Sequence, residues 1–307
     1  MLVFRSIPTQ AKTPVALTIG NFDGVHLGHQ AMLARLQETA RAMDLPACVM
    51  TFEPHPREFF APDQAPVRLT SLREKLELLQ AAGVERVQIC RFNFDFAKIG
   101  AEDFIGRILQ RGLAAKWILV GDDFRFGARR AGDFAMLKAA SGSHGFSVEA
   151  MPSFNLKGVR VSSTAVREAL AAGDMSGASS LLGRAYSISG RVVHGNKLGK
   201  QIGFPTANLQ LKHNLPPLQG IFAVRVRGLA GKALPGVASL GVRPTVIEQG
   251  KPVLEVHLFD FNRQIYDQHV SVDFLHKLRD EEKYADMETL VKQIAVDVVN
   301  AKQWLGC

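Results

Sequence analysis

The chain has 307 residues, 47% of them hydrophobic and 21% charged, with a formal net charge of +8. That is enough apolar material for two domain cores, and with no apolar run of about 18 residues a membrane-spanning helix is excluded. The positive balance suits anionic partners. Small anions are expected rather than nucleic acid, because the aromatics do not interleave with Lys and Arg as on a strand-binding surface.

The cysteines are Cys48, Cys90 and Cys307, with no Cys-x-x-Cys pair, so neither a disulfide framework nor a zinc knuckle is indicated. Residues 1–5 lack the charged-then-apolar layout of a secretory signal. A cytoplasmic protein is expected.

In chain order, Val15, Ala16, Leu17 and Ile19 read as a buried strand and residues 28–43 as a helix. Between them runs Gly20-Asn21-Phe22-Asp23-Gly24-Val25-His26-Leu27-Gly28-His29. A glycine-bearing turn between a strand and a helix N-terminus favours phosphate, through free N–H groups and the helix dipole. His26 and His29 can donate there to phosphate oxygens and stabilise charge that grows in phosphoryl or nucleotidyl transfer. Zinc is disfavoured, because no third His or Cys follows at ligand spacing.

Residues 47–52 form the second strand. A helix follows over 71–82, with Ser71 as N-cap and Leu72, Leu76 and Leu79 on one face. Residues 84–90 are a third strand, and 101–111 a helix with Phe104, Ile105, Ile108 and Leu109 inward. A strand over 117–120 stops at Gly121, and a helix over 134–141 leads to a strand over 146–151. This alternation predicts a parallel sheet flanked by helices, with ligands at the carboxyl ends of its strands. The histidine turn, Pro54-His55-Pro56 and Gly121-Asp122-Asp123-Phe124 lie at such ends.

Residues 164–182 are helical, broken at Ala172-Gly173-Asp174. From Tyr186 the pattern changes. Residues 188–193, 222–226, 253–259 and 269–274 read as strands between Gly and Pro turns, which predicts a small β-barrel or sandwich. A last helix spans 287–304, with Leu290, Ile294 and Val298 on one face and Val299 at its edge. The boundary is expected near 182–186, giving domains 1–184 and 185–307.

The β-rich half contains His194-Gly195-Asn196-Lys197-Leu198-Gly199-Lys200-Gln201-Ile202-Gly203-Phe204-Pro205-Thr206-Ala207-Asn208. Gly195, Gly199 and Gly203 with Lys197 and Lys200 can hold polyphosphate through N–H groups and ammonium charge. No Gly-Lys-Ser or Gly-Lys-Thr closes a Walker motif, and a surface loop with a proline turn is the other reading. Thr206 and Asn208 are oxygen donors on one side of an extended segment and suit Mg²⁺. In a strand, Glu255 and His257 share a face opposite Leu254, Val256 and Leu258. Looking into a site, Glu255 can take a proton from an attacking hydroxyl. Looking outward, it is a polar strand residue, and the residues alone leave both open.

Together, residues 20–29, Thr51-Phe52-Glu53-Pro54-His55-Pro56, Gly121-Asp122-Asp123-Phe124-Arg125-Phe126-Gly127, Val161-Ser162-Ser163-Thr164-Ala165-Val166-Arg167, residues 203–208 and Phe274-Leu275-His276-Lys277-Leu278-Arg279-Asp280-Glu281 resemble the prokaryotic bifunctional riboflavin kinase/FMN adenylyltransferase family. The resemblance covers nearly the whole chain. The histidine turn alone points only to the wider nucleotidyltransferase superfamily, and Pro205-Thr206-Ala207-Asn208 makes the match specific.

The resemblance implies an N-terminal Rossmann-like nucleotidyltransferase domain with a parallel sheet, then a small β-barrel riboflavin kinase-like domain with a terminal helix. It implies that the second domain phosphorylates riboflavin with ATP and Mg²⁺, and that the first adenylylates FMN with another ATP to give FAD and pyrophosphate. On the kinase side, Glu255 matches the general base and Thr206 and Asn208 the Mg–nucleotide residues. Gly195, Lys197, Gly199, Lys200, Gly203 and Pro205 match the ATP loop, and Arg279 the segment closing over the flavin. On the adenylyltransferase side, Gly20, Phe22, Asp23, Gly24, His26 and His29 with Ser163, Thr164 and Arg167 match the ATP site. Pro54, Pro56, Asp123 and Phe126 match the flavin site. Two positions depart from the family. Asp123 stands where many relatives have Asn, a carboxylate repulsive to FMN phosphate unless it points away, is neutralised or meets Mg²⁺. Asp267 follows Tyr266 where the family commonly has Gly, which bears on the local turn.

Overall fold

A computed structural model describes the chain apart from residues 196–198, 200–201, 213–214 and 243–251. The chain forms two compact units, residues 1–66 with 75–161 and residues 67–74 with 162–307.

The first unit carries strands β1 (Leu2–Phe4), β2 (Val15–Ile19), β3 (Ala47–Glu53), β4 (Arg86–Arg91), β5 (Ala115–Gly121) and β8 (Ser147–Met151), with two short ribbons. The ribbons are β6 (Arg125–Phe126) with β7 (Gly132–Asp133), and β9 (Asn155–Leu156) with β10 (Val159–Arg160). The other six strands form one parallel sheet in the order β1-β4-β3-β2-β5-β8. Every residue of β2 is buried, as a central parallel strand requires with both faces covered.

Helices α1 (Leu27–Ala42), α2 (Pro56–Phe60), α3 (Leu72–Ala81), α4 (Phe94–Ala97), α5 (Ala101–Asp103) and α6 (Phe134–His144) connect these strands, α5 running on as a π-helix over Phe104–Gly112. The buried face expected for that segment, Phe104, Ile105, Ile108 and Leu109, packs with Leu17, Ile118 and Val120. The π winding was not expected. The strand order reverses beside β2: β3 and β4 build out on one side, β5 and β8 on the other. Ligands bind at such a switch point, in the crevice beyond the carboxyl ends of the strands. The Thr18 hydroxyl donates to the Leu119 carbonyl at 2.9 Å and pins β2 to β5 just below it.

The second unit opens with α7 (Ser163–Ala171) and α8 (Met175–Leu182), parted at the expected break and capped anew by Asp174. Strands β11 (Tyr186–Val193), β12 (Ala207–Gln210), β13 (Gly220–Arg227), β14 (Leu234–Val242), β15 (Pro252–Leu258) and β16 (His269–Arg279) close a barrel in the order β11-β12-β15-β14-β13-β16. Closure leaves no sheet edge to protect. Ile188, Val192, Phe222, Val224, Leu254, Val256, Val272 and Phe274 fill the core, and Val166, Leu170, Met175 and Leu182 of α7 and α8 join it. The terminal helix α9 (Met287–Leu305) covers Ile221, Ala223 and Val237 on the outside of β13 and β14.

The segment 67–74 belongs to this unit through polar ties. The Tyr186 hydroxyl donates to the Leu69 carbonyl at 3.1 Å, and the Ser189 N–H donates to the Glu74 carboxylate at 2.6 Å. Ser71 caps α3 as expected: its hydroxyl accepts the Glu74 N–H at 3.3 Å, and its own N–H donates to the Glu74 carboxylate at 2.7 Å. This is a capping box. Among the described residues, no helix is long and apolar enough to cross a membrane.

Candidate functional site

The histidine turn leaves the carboxyl end of β2 at the switch point. It hangs from β3, with the Gly20 N–H donating to the Met50 carbonyl at 3.1 Å and the Thr51 hydroxyl to the Asn21 carbonyl at 3.2 Å. Phe22, Gly24 and Val25 have φ of +49°, +82° and +41°. For non-glycine residues this backbone costs about 1–2 kcal/mol each, and complete burial of the Phe22 and Val25 side chains offsets it. Asp23 is buried in the same turn.

His26 is the N-cap of α1: its Nδ1 accepts the His29 N–H at 3.3 Å, so the neutral ring carries its proton on Nε2. The two imidazoles stack with centroids 3.7 Å apart, and Phe22 packs 4.9 Å from His29. A Cβ on Gly28 would fall 3.2 Å from the His26 ring, so glycine gives that ring its room. Nδ1 of His29 is buried without a hydrogen-bond partner. Burial first, then His26 and Lys75, holds the His29 pKa well below the usual histidine value. The first turn of α1 has no acidic residue. A helix N-terminus bearing two imidazoles and no carboxylate in its first turn favours an anion.

Beyond β3, His55 caps α2, its Nδ1 accepting the Arg57 N–H at 3.1 Å and its own N–H donating to Glu58 at 3.1 Å. Pro54 precedes this cap and Pro56 opens the helix. After β5, Asp123 accepts from Arg160 at 2.9 Å, so the carboxylate expected to repel phosphate carries a guanidinium. Phe126 is buried 5.3 Å from the Phe104 ring.

An aromatic shelf beside Pro56 is not marked by any helical or strand period in the sequence. There Phe59 meets Phe60, Phe92 and Phe94 edge-on at 4.8 to 5.6 Å. Phe60 and Phe94 are 67% and 73% exposed, which marks the shelf as a contact surface and not a core. The pairs Phe59-Phe60 and Phe92-Asn93-Phe94 were the available signal. Ser163, Thr164 and Arg167 lie on α7 in the second unit, behind the Ser162 cap, and Nε of Arg167 donates to the Val67 carbonyl at 2.6 Å.

On the barrel, register brings separate motifs together. Asn208 pairs opposite Glu255 between β12 and β15, and Ser239 pairs opposite Glu255 between β14 and β15. Leu209, Leu254, Val256, Ala238 and Leu240 point into the core, so alternation puts Asn208, Glu255 and Ser239 on the outer face. The Gly195 backbone lies against the Asn208 amide, and a Cβ on Gly199 would fall 3.1 Å from the Thr206 hydroxyl. The Gly199 carbonyl accepts the Phe204 N–H at 2.8 Å. Lys197 and Lys200 lie outside the described residues. Among the described residues no group of three or more His, Cys, Asp or Glu could hold a metal. Thr206 and Asn208 offer neutral oxygens.

The Ser239 hydroxyl donates to Glu281 at 3.0 Å. Arg279 forms a fork on Asp297 at 2.9 and 2.7 Å, and a third donor reaches the Asp280 carbonyl at 2.8 Å. The hydrogen bonds to Asp297 raise the Arg279 pKa further. Ser239, Glu281 and Asp297 were not found from the sequence. Pro235, Gly236 and Gly241 interrupt the alternation that would have marked β14, and Asp297 sits inside an apolar helix face.

A family model described as FAD synthetase matches residues 8–165, and one described as riboflavin kinase matches residues 182–305. The bifunctional riboflavin kinase/FMN adenylyltransferase of Escherichia coli (strain K12) is 48% identical over 309 residues, covering 100% of this chain and 98% of the relative. That of Haemophilus influenzae is 50% identical over 291 residues, covering 95% and 94%. A crystal structure described as a macrolide-efflux protein from Streptococcus pneumoniae matches with a TM-score of 0.83 at 30% identity, covering 97% of each chain.

Proposed function

The chain belongs to the bifunctional riboflavin kinase/FMN adenylyltransferase family, and from that premise we propose how its residues make FAD. It is a transferase with two activities in series: the C-terminal part phosphorylates riboflavin to FMN, and the N-terminal part adenylylates FMN. We assign adenylyl transfer to residues 1–184 and the kinase to residues 185–307; the family matches over 8–165 and 182–305 support this division to within three residues of the boundary.

In the kinase, Glu255 accepts the proton of the ribityl 5′-hydroxyl as that oxygen attacks the γ-phosphorus of ATP. The observation that carries this role is the register that sets Glu255 beside Asn208 on the outer face of the barrel. Gly195, Lys197, Gly199, Lys200, Gly203 and Pro205 line the ATP phosphates. Neutral oxygens at Thr206 and Asn208 fit Mg²⁺, which takes few protein ligands alongside waters and substrate phosphates. Bound there, the ion supplies charge neutralisation on the phosphates. Arg279, held by Asp297, contacts the flavin.

In adenylyl transfer, the FMN phosphate attacks the α-phosphorus of a second ATP and pyrophosphate leaves. Positioning and charge stabilisation carry most of such a reaction. Gly20, Phe22, Asp23, Gly24, His26 and His29 of the first unit hold ATP, and Nε2–H of His26 donates to a phosphate oxygen; the motif resemblance also assigns Ser163, Thr164 and Arg167 to nucleotide phosphate. Pro54, Pro56, Asp123 and Phe126 hold the flavin, with Arg160 offsetting the charge of Asp123. The partners are small molecules, neither nucleic acid nor membrane. The compartment is the cytoplasm, where Cys48, Cys90 and Cys307 stay free thiols.

The test is incubation with riboflavin, ATP and Mg²⁺ followed by separation of the flavins. FMN accumulates first and FAD follows. Recovery of riboflavin alone from folded protein overturns the proposal.

A further inference from the structure

We infer that His257 is a positioning residue of the kinase site, bracing the base of the phosphate loop against the strand that carries Glu255. This rests on the kinase reading above. Nδ1 of His257 lies 2.9 Å from the Pro205 carbonyl oxygen. A carbonyl only accepts, so Nδ1 carries a proton, and it does so whether the ring is neutral or charged. The Phe204 ring meets His257 edge-on with centroids 5.6 Å apart, and the Phe204 N–H closes on the Gly199 carbonyl at 2.8 Å.

The ladder between β12 and β15 fixes Leu209, Asn208 and Ala207 opposite Leu254, Glu255 and Val256, and ends there. Thr206 is the next residue out, and Pro205, behind it, has no N–H with which to extend the ladder. The His257 bond takes hold where the ladder stops. His257 shares the outer face with Glu255 two residues away, so one strand sets both the base and the start of the Thr206 segment.

Three substitutions in the full-length chain test the brace: H257A, H257N and H257Q. Asparagine puts an N–H where Nδ1 was, whereas glutamine reaches toward the Nε2 position. One lost hydrogen bond of about 1.4 kcal/mol is roughly a tenfold change. H257A and H257Q therefore raise KM for Mg·ATP in riboflavin phosphorylation about tenfold. H257N stays within about threefold of the parent. Riboflavin affinity and FMN adenylylation are unchanged in all three, and the pH profile of H257N matches the parent. Calorimetric titration with Mg·ATP gives the same comparison without turnover. Equal behaviour of Asn and Gln, or unaltered KM in H257A, overturns the brace, as does a common loss of melting temperature that accounts for every kinetic change. Failure of the parent chain to phosphorylate riboflavin overturns the kinase reading instead, and the binding comparison still decides the brace.

Discussion

The imidazole of His26 lies nearly flat on that of His29, centroids 3.7 Å apart and planes 17° apart, while its Nδ1 accepts the His29 amide. Burial and the neighbouring His26 and Lys75 keep the His29 pKa well below the usual value. The unfolded chain takes up this proton near pH 6.5, so between the two values it binds more protons than the folded one. Stability is whole above about pH 6.5 and declines as pH falls toward the folded pKa. A polyphosphate against the ring reverses the balance, because a nearby anion favours the charged form. Proton uptake is expected when ATP binds between about pH 6 and 7. It is read as a binding enthalpy that varies with the ionisation enthalpy of the buffer. His29→Phe removes the uptake and shallows the decline in melting temperature just below pH 6.5, while the lower-pH loss from Glu149, Asp174 and Asp286 remains. Identical enthalpies in all buffers for the parent chain would show His29 staying neutral against the nucleotide.

The two chemical steps separate by substitution. His29→Ala removes a phosphate contact and lowers FMN adenylylation about 10²- to 10³-fold, leaving riboflavin phosphorylation intact. Glu255→Ala removes the base and lowers FMN formation about 10²- to 10⁴-fold, while supplied FMN is still converted to FAD. Flavin chromatography from both starting materials measures each step. Equal loss of both steps in either variant would contradict independent sites.

How much of this was legible depended on whether a residue acts through local pattern or through pairing. The strand–turn–helix around His26 is written in a continuous apolar run, two glycines and a helical period, and the structure has it within a residue or two. The placement of Glu255 is different. Alternation showed which residues share its face, but only the strand order β12-β15-β14 shows that Asn208 and Ser239 flank it. Strand β12 is four residues long and β14 contains Pro235 and Gly236, so neither announced itself. A boundary at 182–186, set where the pattern changes, leaves α7 and α8 with the first domain, yet Val166, Leu170 and Leu182 share a core with the barrel. Periodicity says that a face is buried, not against what.

Thiol chemistry gives a check on the fold of the first unit. Burial pushes the pKa of both Cys48 and Cys90 up to about 12, while Cys307 is exposed. A thiol in an apolar setting is inert, because the thiolate is the nucleophile. Native protein at pH 8 is expected to take one alkyl group, at Cys307, and denatured protein three. Peptide mass mapping locates them. Rapid native labelling of Cys48 or Cys90 would mean that β3 and β4 open readily to solvent.

Asp267 holds φ at +65°, and its N–H donates to the Val192 carbonyl at 2.9 Å. Aspartate at this position therefore holds the turn and adds strain to it. The turn follows Tyr266, whose ring centroid lies 3.9 Å from that of His194, just ahead of the loop we assign to the ATP phosphates. Left-handed backbone costs a residue with a Cβ about 1 kcal/mol, somewhat less for Asp, whose short polar side chain bonds locally. Glycine relieves this but gives the unfolded chain more freedom, about 0.4–1 kcal/mol in the opposite sense. The Arg191–Asp267 pair is 3.9 Å long with side chains 60% and 84% exposed, so its loss counts for little. Asp267→Gly is therefore expected to melt within about 2 °C of the parent. Asp267→Ala keeps the steric cost, loses the intrinsic tolerance of Asp for left-handed backbone, and melts about 2–4 °C lower. Both retain riboflavin phosphorylation, since neither touches Glu255 or Thr206. Thermal unfolding followed by circular dichroism ranks the three, and alanine melting above glycine would show that backbone strain at 267 does not set the stability of this turn.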